Sequence, residues 1–162
     1  MVRAKKSKSD LGTNHQLPLS GLSQFRILSI ADFLLKAASK FYGQRFGINN
    51  SELRVLIILR EEQPLTIGEL SRRGQIDKAW VSRSIASLLE RGLVARKAHP
   101  TDNRMLLISL TSSGIELTKS IDPIARDRHL QLLSGLSPKE TLKIINILEK
   151  NAAGLLNAQD DE

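Results

Sequence analysis

A short helix with clearly marked ends constrains the fold of this chain more than any other feature. Thr66 is a favourable N-cap residue and Glu69 follows three positions later, which is the spacing of a capping box. Gly74 is placed to take the left-handed conformation just beyond the helix, and Asp77 is placed to cap a second one. Two short helices joined by a tight glycine-containing turn predict a helix-turn-helix, a layout in which the second helix reads DNA. The predicted bounds are 67–73 and 78–90.

Two strand-like runs follow the second helix, on either side of a charged loop. The runs are 93–96 and 105–110, and the loop between them, 97–104, carries Asp102 and Arg104. A charged tip between two short strands, directly behind a helix-turn-helix, predicts a wing. Wings in this position reach for DNA.

Helical patterns flank this region on both sides. Thr111 is placed to cap a helix that Pro123 is expected to kink or divide. Ser137 and Glu140 form a second capping box, with proline at the first helical position of the helix that follows. The predicted bounds of the flanking helices are about 22–43 (ending at Gly43), about 51–62, from Ser112 onward, and 138 to about 157.

The last predicted helix carries more apolar surface than one neighbour can cover. Its Leu, Ile and Ala side chains spread over roughly 220° of its circumference, whereas a surface helix needs a stripe of little more than about 100°. A second copy of the chain would cover the remainder, and burial within a single chain is the alternative. We therefore predict a mainly α fold with a small β-wing, a winged helix-turn-helix flanked by long N- and C-terminal dimerisation helices. The predicted segments are a flexible basic tail over 1–20, the N-terminal helix of a dimerisation region over 21–50, a winged helix-turn-helix DNA-binding domain over 51–111, C-terminal dimerisation helices over 112–158 and an acidic tail over 159–162.

The composition argues against several classes of function. The chain has no cysteine, which removes disulfides, thiolate catalysis and thiolate zinc sites and fits a reducing compartment. The histidines His15, His99 and His129 are too scattered for a metal site or a catalytic base, so we expect no enzyme, no cofactor and no metal. No apolar segment follows the basic N-terminus, and the longest apolar run, 55–59, is too short to cross a bilayer. These features predict a cytoplasmic protein without a membrane partner.

The distribution of charge indicates a polyanionic partner. The formal net charge is +7. Residues 66–104 carry eight Lys or Arg against four Asp or Glu, whereas residues 111–162 carry six against eight. The positive excess therefore overlaps the predicted helix-turn-helix, which favours double-stranded DNA as the partner. A generic solvated basic surface is the alternative.

Four stretches carry a family resemblance that extends from about Phe25 to Leu156. They are Pro64–Leu70, Val81-Ser82-Arg83, Leu88–Val94, and Asp102-x-Arg104 followed after five residues by Leu110-Thr111. In these stretches the chain resembles the multiple-antibiotic-resistance regulator (MarR) family of winged helix-turn-helix repressors.

The resemblance implies a triangular homodimer whose terminal helices interlock at one corner. It further implies a repressor of a pseudo-palindromic operator, released when a small aromatic acid or other amphipathic ligand enters the crevice between the dimerisation and DNA-binding regions. Asn103 departs from the pattern, because family members often carry a second basic residue there. A DNA-binding architectural or accessory regulator without an effector is the alternative, and a winged helix that binds only protein is a third reading.

The second helix of the helix-turn-helix has one apolar face and one small, polar face. Arg83 points away from the apolar face, and we predict that it reads guanine O6 and N7. A phosphate contact, or an ion pair with Glu90 or Asp77, is the alternative. Trp80 lies beside the apolar face, where packing against the core is favoured over a contact with thymine methyl groups or a sugar. The predicted DNA-binding residues of this helix are Lys78, Ala79, Ser82, Arg83 and Ser87.

The wing tip should reach the minor groove. Arg104 would enter it where a narrow A·T-rich step concentrates negative potential. Asp102 would orient that arginine or cap the turn, and His99 would contact sugar or phosphate or simply be exposed. The predicted wing residues are Lys97, His99, Asp102, Asn103 and Arg104, and the predicted phosphate contacts are Thr66, Arg72, Arg73 and Arg96. The predicted effector site is Phe41, Tyr42, Arg45 and Phe46, with core packing of these aromatics as the alternative.

Overall fold

Six helices and three short strands make up the part of the chain that the computed structural model describes, which is Pro18 and residues 22–102 and 104–157. Most of the predicted basic tail, the predicted acidic tail and Asn103 lie outside these residues. The chain divides into two compact units, Met1–Gly114 and Ile115–Glu162. The elements are α1 (Ser23–Phe46), α2 (Asn50–Glu61), β1 (Leu65–Thr66), α3 (Ile67–Gly74), α4 (Lys78–Glu90), β2 (Val94–Ala98), β3 (Leu106–Leu110), α5 (Ser112–Leu132) and α6 (Pro138–Asn157).

Helix α1 runs further than the sequence predicted. It passes through Gly43 and ends at Phe46, and Gly47 takes the left-handed conformation with φ of 65°. The Gly47 amide donates to the Gly43 carbonyl over 3.0 Å, and the next residue, Ile48, is buried. A helix commonly ends at a left-handed glycine that is followed by a buried apolar residue. Gly43 is followed by Gln44, which is not apolar. The predicted end at Gly43 is therefore wrong.

Helix α2 starts with a capping box that was not predicted from the sequence. The Asn49 side chain accepts hydrogen bonds from the amides of Ser51 and Glu52, each over 2.9 Å. The Glu52 carboxylate in turn accepts from the Asn49 amide over 2.9 Å. These bonds satisfy amides that the first turn of a helix leaves without partners, and they fix where α2 begins.

The helix-turn-helix forms where it was predicted, but its turn works differently. Thr66 and Glu69 make the predicted capping box of α3. The left-handed residue after α3 is Gln75, with φ of 48°, and Gly74 is the last helical residue. A β-carbon on Gly74 would lie 2.9 Å from Cδ1 of Ile76 and 3.1 Å from Cδ1 of Ile58. Gly74 is helical and packs closely against Ile76 and Ile58, so its predicted role as the left-handed residue is wrong.

The wing is part of a three-stranded antiparallel sheet. The strand order is β1-β3-β2, with Leu65 opposite Ile108 and Val94 opposite Leu110. Strand β1 was not predicted, because its two residues are also the entry to α3 and carry no alternation. β2 extends to Ala98, two residues beyond the predicted run, so the loop at the tip is shorter than expected.

The first unit is held together by apolar side chains from α2, α3, α4 and β3. α2 packs against α3, α4 and β3, and α3 packs against α4. Leu56, Leu70, Leu88 and Ile108 each have no more than 1% of their surface exposed. This shared core fixes α4 with its opposite face outward.

The second unit contains most of α5 and the whole of α6. Pro123 was predicted to kink or divide α5, and the helix continues through it without division. Ser137 and Glu140 make the predicted capping box of α6, with the Ser137 hydroxyl donating to the carboxylate over 2.6 Å. None of the described helices is both long enough and apolar enough to span a membrane.

Candidate nucleic-acid interface

Helix α4 presents a small, polar face to solvent. Val81, Ile85 and Leu88 are buried on its inner side. The predicted outward residues Lys78, Ala79, Ser82 and Arg83 are all exposed. The Asp77 side chain caps the helix by accepting from the Ala79 amide over 2.8 Å, as predicted. The predicted facing is confirmed for these seven residues of α4.

Arg83 and Trp80 form a pair on this outer face. The guanidinium carbon of Arg83 lies 4.2 Å from the centroid of the indole ring, well inside the range of a cation–π contact. Trp80 is 57% exposed, so the favoured prediction that it packs beside the core is wrong. Within residues 22–102 and 104–157 no ion pair joins Arg83 to Asp77 or Glu90.

Ser87 faces α2 and not solvent. Its hydroxyl donates over 2.6 Å to Glu52, a carboxylate whose residue is only 3% exposed. Glu52 also lies 3.6 Å from the guanidinium of Arg91, and that guanidinium donates to the carbonyls of Phe46 and Gly47. A buried carboxylate needs partners of this kind. Ser87 is therefore occupied in joining α4 to α2.

The wing loop is closed by its own hydrogen bonds. The Asp102 carboxylate accepts from the Arg104 amide over 2.9 Å, and the Met105 amide donates to the Asp102 carbonyl over 3.0 Å. Of the two predicted roles for Asp102, these contacts match capping of the turn. His99 is half-buried, with Nδ1 3.2 Å from the Thr101 hydroxyl. The cations Arg96, Lys97 and Arg104 are all exposed.

Comparison with known proteins decides the family. A family model described as MarR family matches residues 48–106. The HTH-type transcriptional regulator ML2140 of Mycobacterium leprae, described as uncharacterised, is 36% identical over 135 residues, covering 83% of this chain and 91% of that protein. The chain belongs to the MarR family.

Solved structures agree with this assignment. A MarR/EmrR family transcriptional regulator from Acinetobacter sp. ADP1 matches with a TM-score of 0.76 and 28% identity, over 90% of this chain and 100% of that one. MepR of S. aureus, solved in complex with DNA, matches with a TM-score of 0.73 and 25% identity, over 82% of this chain and 98% of that one. The resemblance and the fold class predicted from the sequence are both confirmed, and this MarR-family chain is a DNA-binding transcriptional regulator.

Two of the predicted phosphate contacts already have partners in this MarR-family chain. The Thr66 hydroxyl donates to Glu69 over 2.8 Å and accepts from the Glu69 amide over 3.2 Å. These bonds from the backbone and hydroxyl of Thr66, helped by the nearby arginines, hold the pKa of Glu69 below its ordinary value of 4.5. Arg73 makes a two-pronged ion pair with Glu62, whose hydrogen bonds raise the pKa of Arg73. Arg72 is exposed.

The four residues of the predicted effector site do lie together in α1. The rings of Phe41 and Tyr42 meet edge to face at 5.2 Å, and Tyr42 and Phe46 stack at 6.2 Å. The Arg45 guanidinium lies 6.0 Å and 5.8 Å from the Phe41 and Phe46 rings. Tyr42 is 6% exposed, which matches the alternative of core packing for that ring. A nearby cavity of about 400 Å³ is lined by other residues: Ser39, Gly43, Gly47, Ile48, Asn49, Glu52, Ser87 and Arg91.

Sequence reasoning missed the part that Glu52 and Arg91 play in this regulator. The spacing from Asn49 to Glu52 is the same capping-box signal that was used for Thr66 and Glu69, so the carboxylate could have been singled out. Nothing local marks Arg91, because its partners lie 39 to 45 positions earlier in the chain. Within the described ranges no cluster of His, Cys, Asp or Glu could hold a metal ion.

Proposed function

We propose that this regulator binds duplex DNA as a homodimer and represses a pseudo-palindromic operator until a small ligand releases it. The observation that carries the proposal is the outer face of α4, where an exposed Arg83 stands beside Trp80 and the small residues Ala79 and Ser82. An α-helix fits the major groove, and small residues on its outer face let the backbone approach the base edges. Arg83 would then donate two hydrogen bonds to O6 and N7 of a guanine.

The wing would engage the minor groove beside it. Arg104 is exposed next to a turn that its own amide helps to close, so its side chain is available to DNA. Lys97, Arg96 and Arg72 are exposed cations suited to phosphate. Lys78 and Ser82 keep their proposed contacts with DNA. We assign Ser87, Thr66 and Arg73 to holding the domain together, because Glu52, Glu69 and Glu62 occupy their polar groups.

Two helices support the proposed dimer, one in each unit. α1 exposes Phe33 by 70% and α6 exposes Leu142 by 62%, each within a row of large apolar residues. Apolar patches of this extent mark surfaces that bind other molecules. A symmetric dimer would place its two copies of α4 on half-sites about 10–10.5 bp apart, centre to centre. The remaining large exposed apolar residues of these helices are Phe25, Ile27, Leu28, Ile30, Leu34, Leu35, Ile144, Ile145, Ile147, Leu148 and Leu155.

The aromatic end of α1 supports release by an aromatic acid. Arg45 lies over two phenyl rings, and a ligand with a carboxylate and a ring could pair with the cation and stack on the aromatics. A screen of aromatic acids should raise the melting temperature of the unmodified protein and not that of Arg45→Ala. If no acid shifts either protein, the regulator without an effector is the better description.

DNA binding is tested by selecting fragments of the source genome with the purified protein and titrating the selected duplex. The Arg83→Ala variant should lose about 1–3 kcal/mol of binding free energy on the selected site and relax the choice of one base pair per half-site. Arg126→Ala, an exposed α5 cation that pairs with Asp122, is the matched control and should bind like the unmodified protein. Equal losses on selected and random DNA would show that Arg83 contacts only the backbone. No bound duplex at low ionic strength would overturn the proposal.

A further inference from the structure

We infer that Trp80 is a positioning residue whose indole face holds Arg83 in the orientation needed to read a base. This inference rests on the proposed function, because it concerns how the same α4 face recognises DNA. Trp80 and Arg83 are three residues apart, so they are neighbours on one side of the helix. The separation of 4.2 Å between guanidinium and ring shows that the neighbours are in contact before any DNA is bound.

The exposure of Trp80 argues for a task outside the core. It is the only tryptophan in the chain, and it is 57% exposed. An indole left in water gains little of the stabilisation that burial gives an apolar side chain. Its backbone is also fixed, because the Trp80 amide lies in the first turn of α4 and donates to the Asp77 carboxylate. The ring is therefore presented from a rigid point on the reading face.

Stacking leaves the hydrogen-bonding edge of Arg83 available. A guanidinium is planar, and an indole beneath it contacts the face while the N–H groups point outward around the rim. Those N–H groups are the ones that would meet guanine O6 and N7. An arginine already held on a ring also loses fewer rotamers on binding, which lowers the entropic cost of the contact. Trp80 thus raises affinity for the correct base through Arg83 without touching the base itself.

A double-mutant cycle separates this role from a direct contact. On the selected duplex, Trp80→Ala should weaken binding by about three- to tenfold, the range expected for a lost cation–π contact. Trp80→Phe should retain most of the affinity, because a phenyl face can still carry the guanidinium. In the Arg83→Ala background, Trp80→Ala should have no further effect. Independent losses in the double variant would mean that Trp80 contacts DNA itself, and would overturn the inference.

A measurement without DNA tests the contact directly. In the NMR spectrum of the free protein, the Arg83 side-chain protons should be shifted upfield by the indole ring current, and Trp80→Ala should abolish that shift. Ser82→Ala, an exposed change on the same helix, should leave it in place. An unshifted Arg83 in the unmodified protein would overturn the inference while leaving the proposed function standing. Failure of the unmodified protein to bind any duplex would overturn both.

Discussion

Gly114 lies in the first turn of α5, where the helix runs against the backbone of Leu93. A β-carbon at this position would lie 2.0 Å from the Leu93 carbonyl oxygen and 3.2 Å from Cδ2 of Leu110. The first of these contacts is with backbone and cannot be relieved by rotating a side chain. We therefore expect Gly114→Ala to lower the free energy of unfolding by about 1–3 kcal/mol or more, since this is the usual cost of overpacking. Denaturant titration would measure the change.

Gly154 is the matched control for this substitution. It also lies within a helix, α6, but an added β-carbon would meet nothing within 4 Å. Gly154→Ala should be neutral or should stabilise α6 by about 0.5–1 kcal/mol, because alanine has the higher helix propensity. Equal effects of the two substitutions would show that close approach to Leu93 is not what requires glycine.

Single residues also show where sequence reasoning reaches its limit. Arg72 and Arg73 are adjacent and were given the same role, yet Arg73 is paired with Glu62 and Arg72 is exposed. The difference depends on how the end of α2 meets α3, which no local pattern records. Trp80 is similar, because helical spacing places it beside the apolar face of α4, but whether a neighbouring element covers it depends on the tertiary packing.

At the scale of elements, α4 is held to α2 by a polar contact as well as by apolar packing. Removing the Ser87 hydroxyl would leave the Glu52 carboxylate, 3% exposed, with one hydrogen bond fewer. We expect Ser87→Ala to cost about 1–3 kcal/mol of stability, because one oxygen of the buried carboxylate loses its hydrogen bond from Ser87. Ser82→Ala, on the exposed face of the same helix, should cost little. Equal stabilities in thermal unfolding would contradict the importance of this contact.

The cap of α3 predicts a dependence of stability on pH. The pKa of Glu69 is lowered in the folded protein, chiefly by hydrogen bonds from Thr66. Folding then favours the ionised carboxylate, so its stabilising contribution is complete above pH 4.5 and is lost as the pH falls through the lower folded value. The difference in melting temperature between the unmodified protein and Glu69→Gln should therefore narrow as the pH falls below 4.5. Glu61→Gln, an exposed substitution at the end of α2, serves as the control. If the difference in melting temperature between the unmodified protein and Glu69→Gln stayed constant as the pH fell, the prediction would be contradicted.

Elements whose ends are marked by nearby capping residues could be predicted from the sequence. Elements that depend on contacts with distant parts of the chain could not. The bounds of α3, α4 and α6 could be predicted because the residues that cap them lie within a few positions of the helix ends. Strand β1 exists only because β3 lies beside it, and α1 stops at Gly47 because Ile48 is buried in the core. The DNA-binding role of each candidate residue stays a prediction.

At the scale of the whole molecule, the apolar surfaces of α1 and α6 predict that stability depends on protein concentration. A dimer that forms only from folded chains is stabilised by mass action, so raising the concentration about tenfold should raise the melting temperature. Ile147→Glu on the exposed face of α6 should remove that dependence and give single chains in sedimentation. The control Lys143→Glu, an exposed change on the same helix, should keep it. A melting temperature independent of concentration for the unmodified protein would contradict the dimer.

Arg91 makes the C-terminal ends of α1 and α4 mechanically dependent on each other. Its guanidinium donates hydrogen bonds to the carbonyl oxygens of Phe46 and Gly47 at the end of α1. It also lies beside the Glu52 carboxylate, which accepts a hydrogen bond from Ser87. Unwinding the last turn of α1 would move those two carbonyls and break the hydrogen bonds that they accept from Arg91, the residue that follows α4. Arg91 therefore adds a direct polar link between the ends of α1 and α4 to the apolar packing that each of these helices makes with α2.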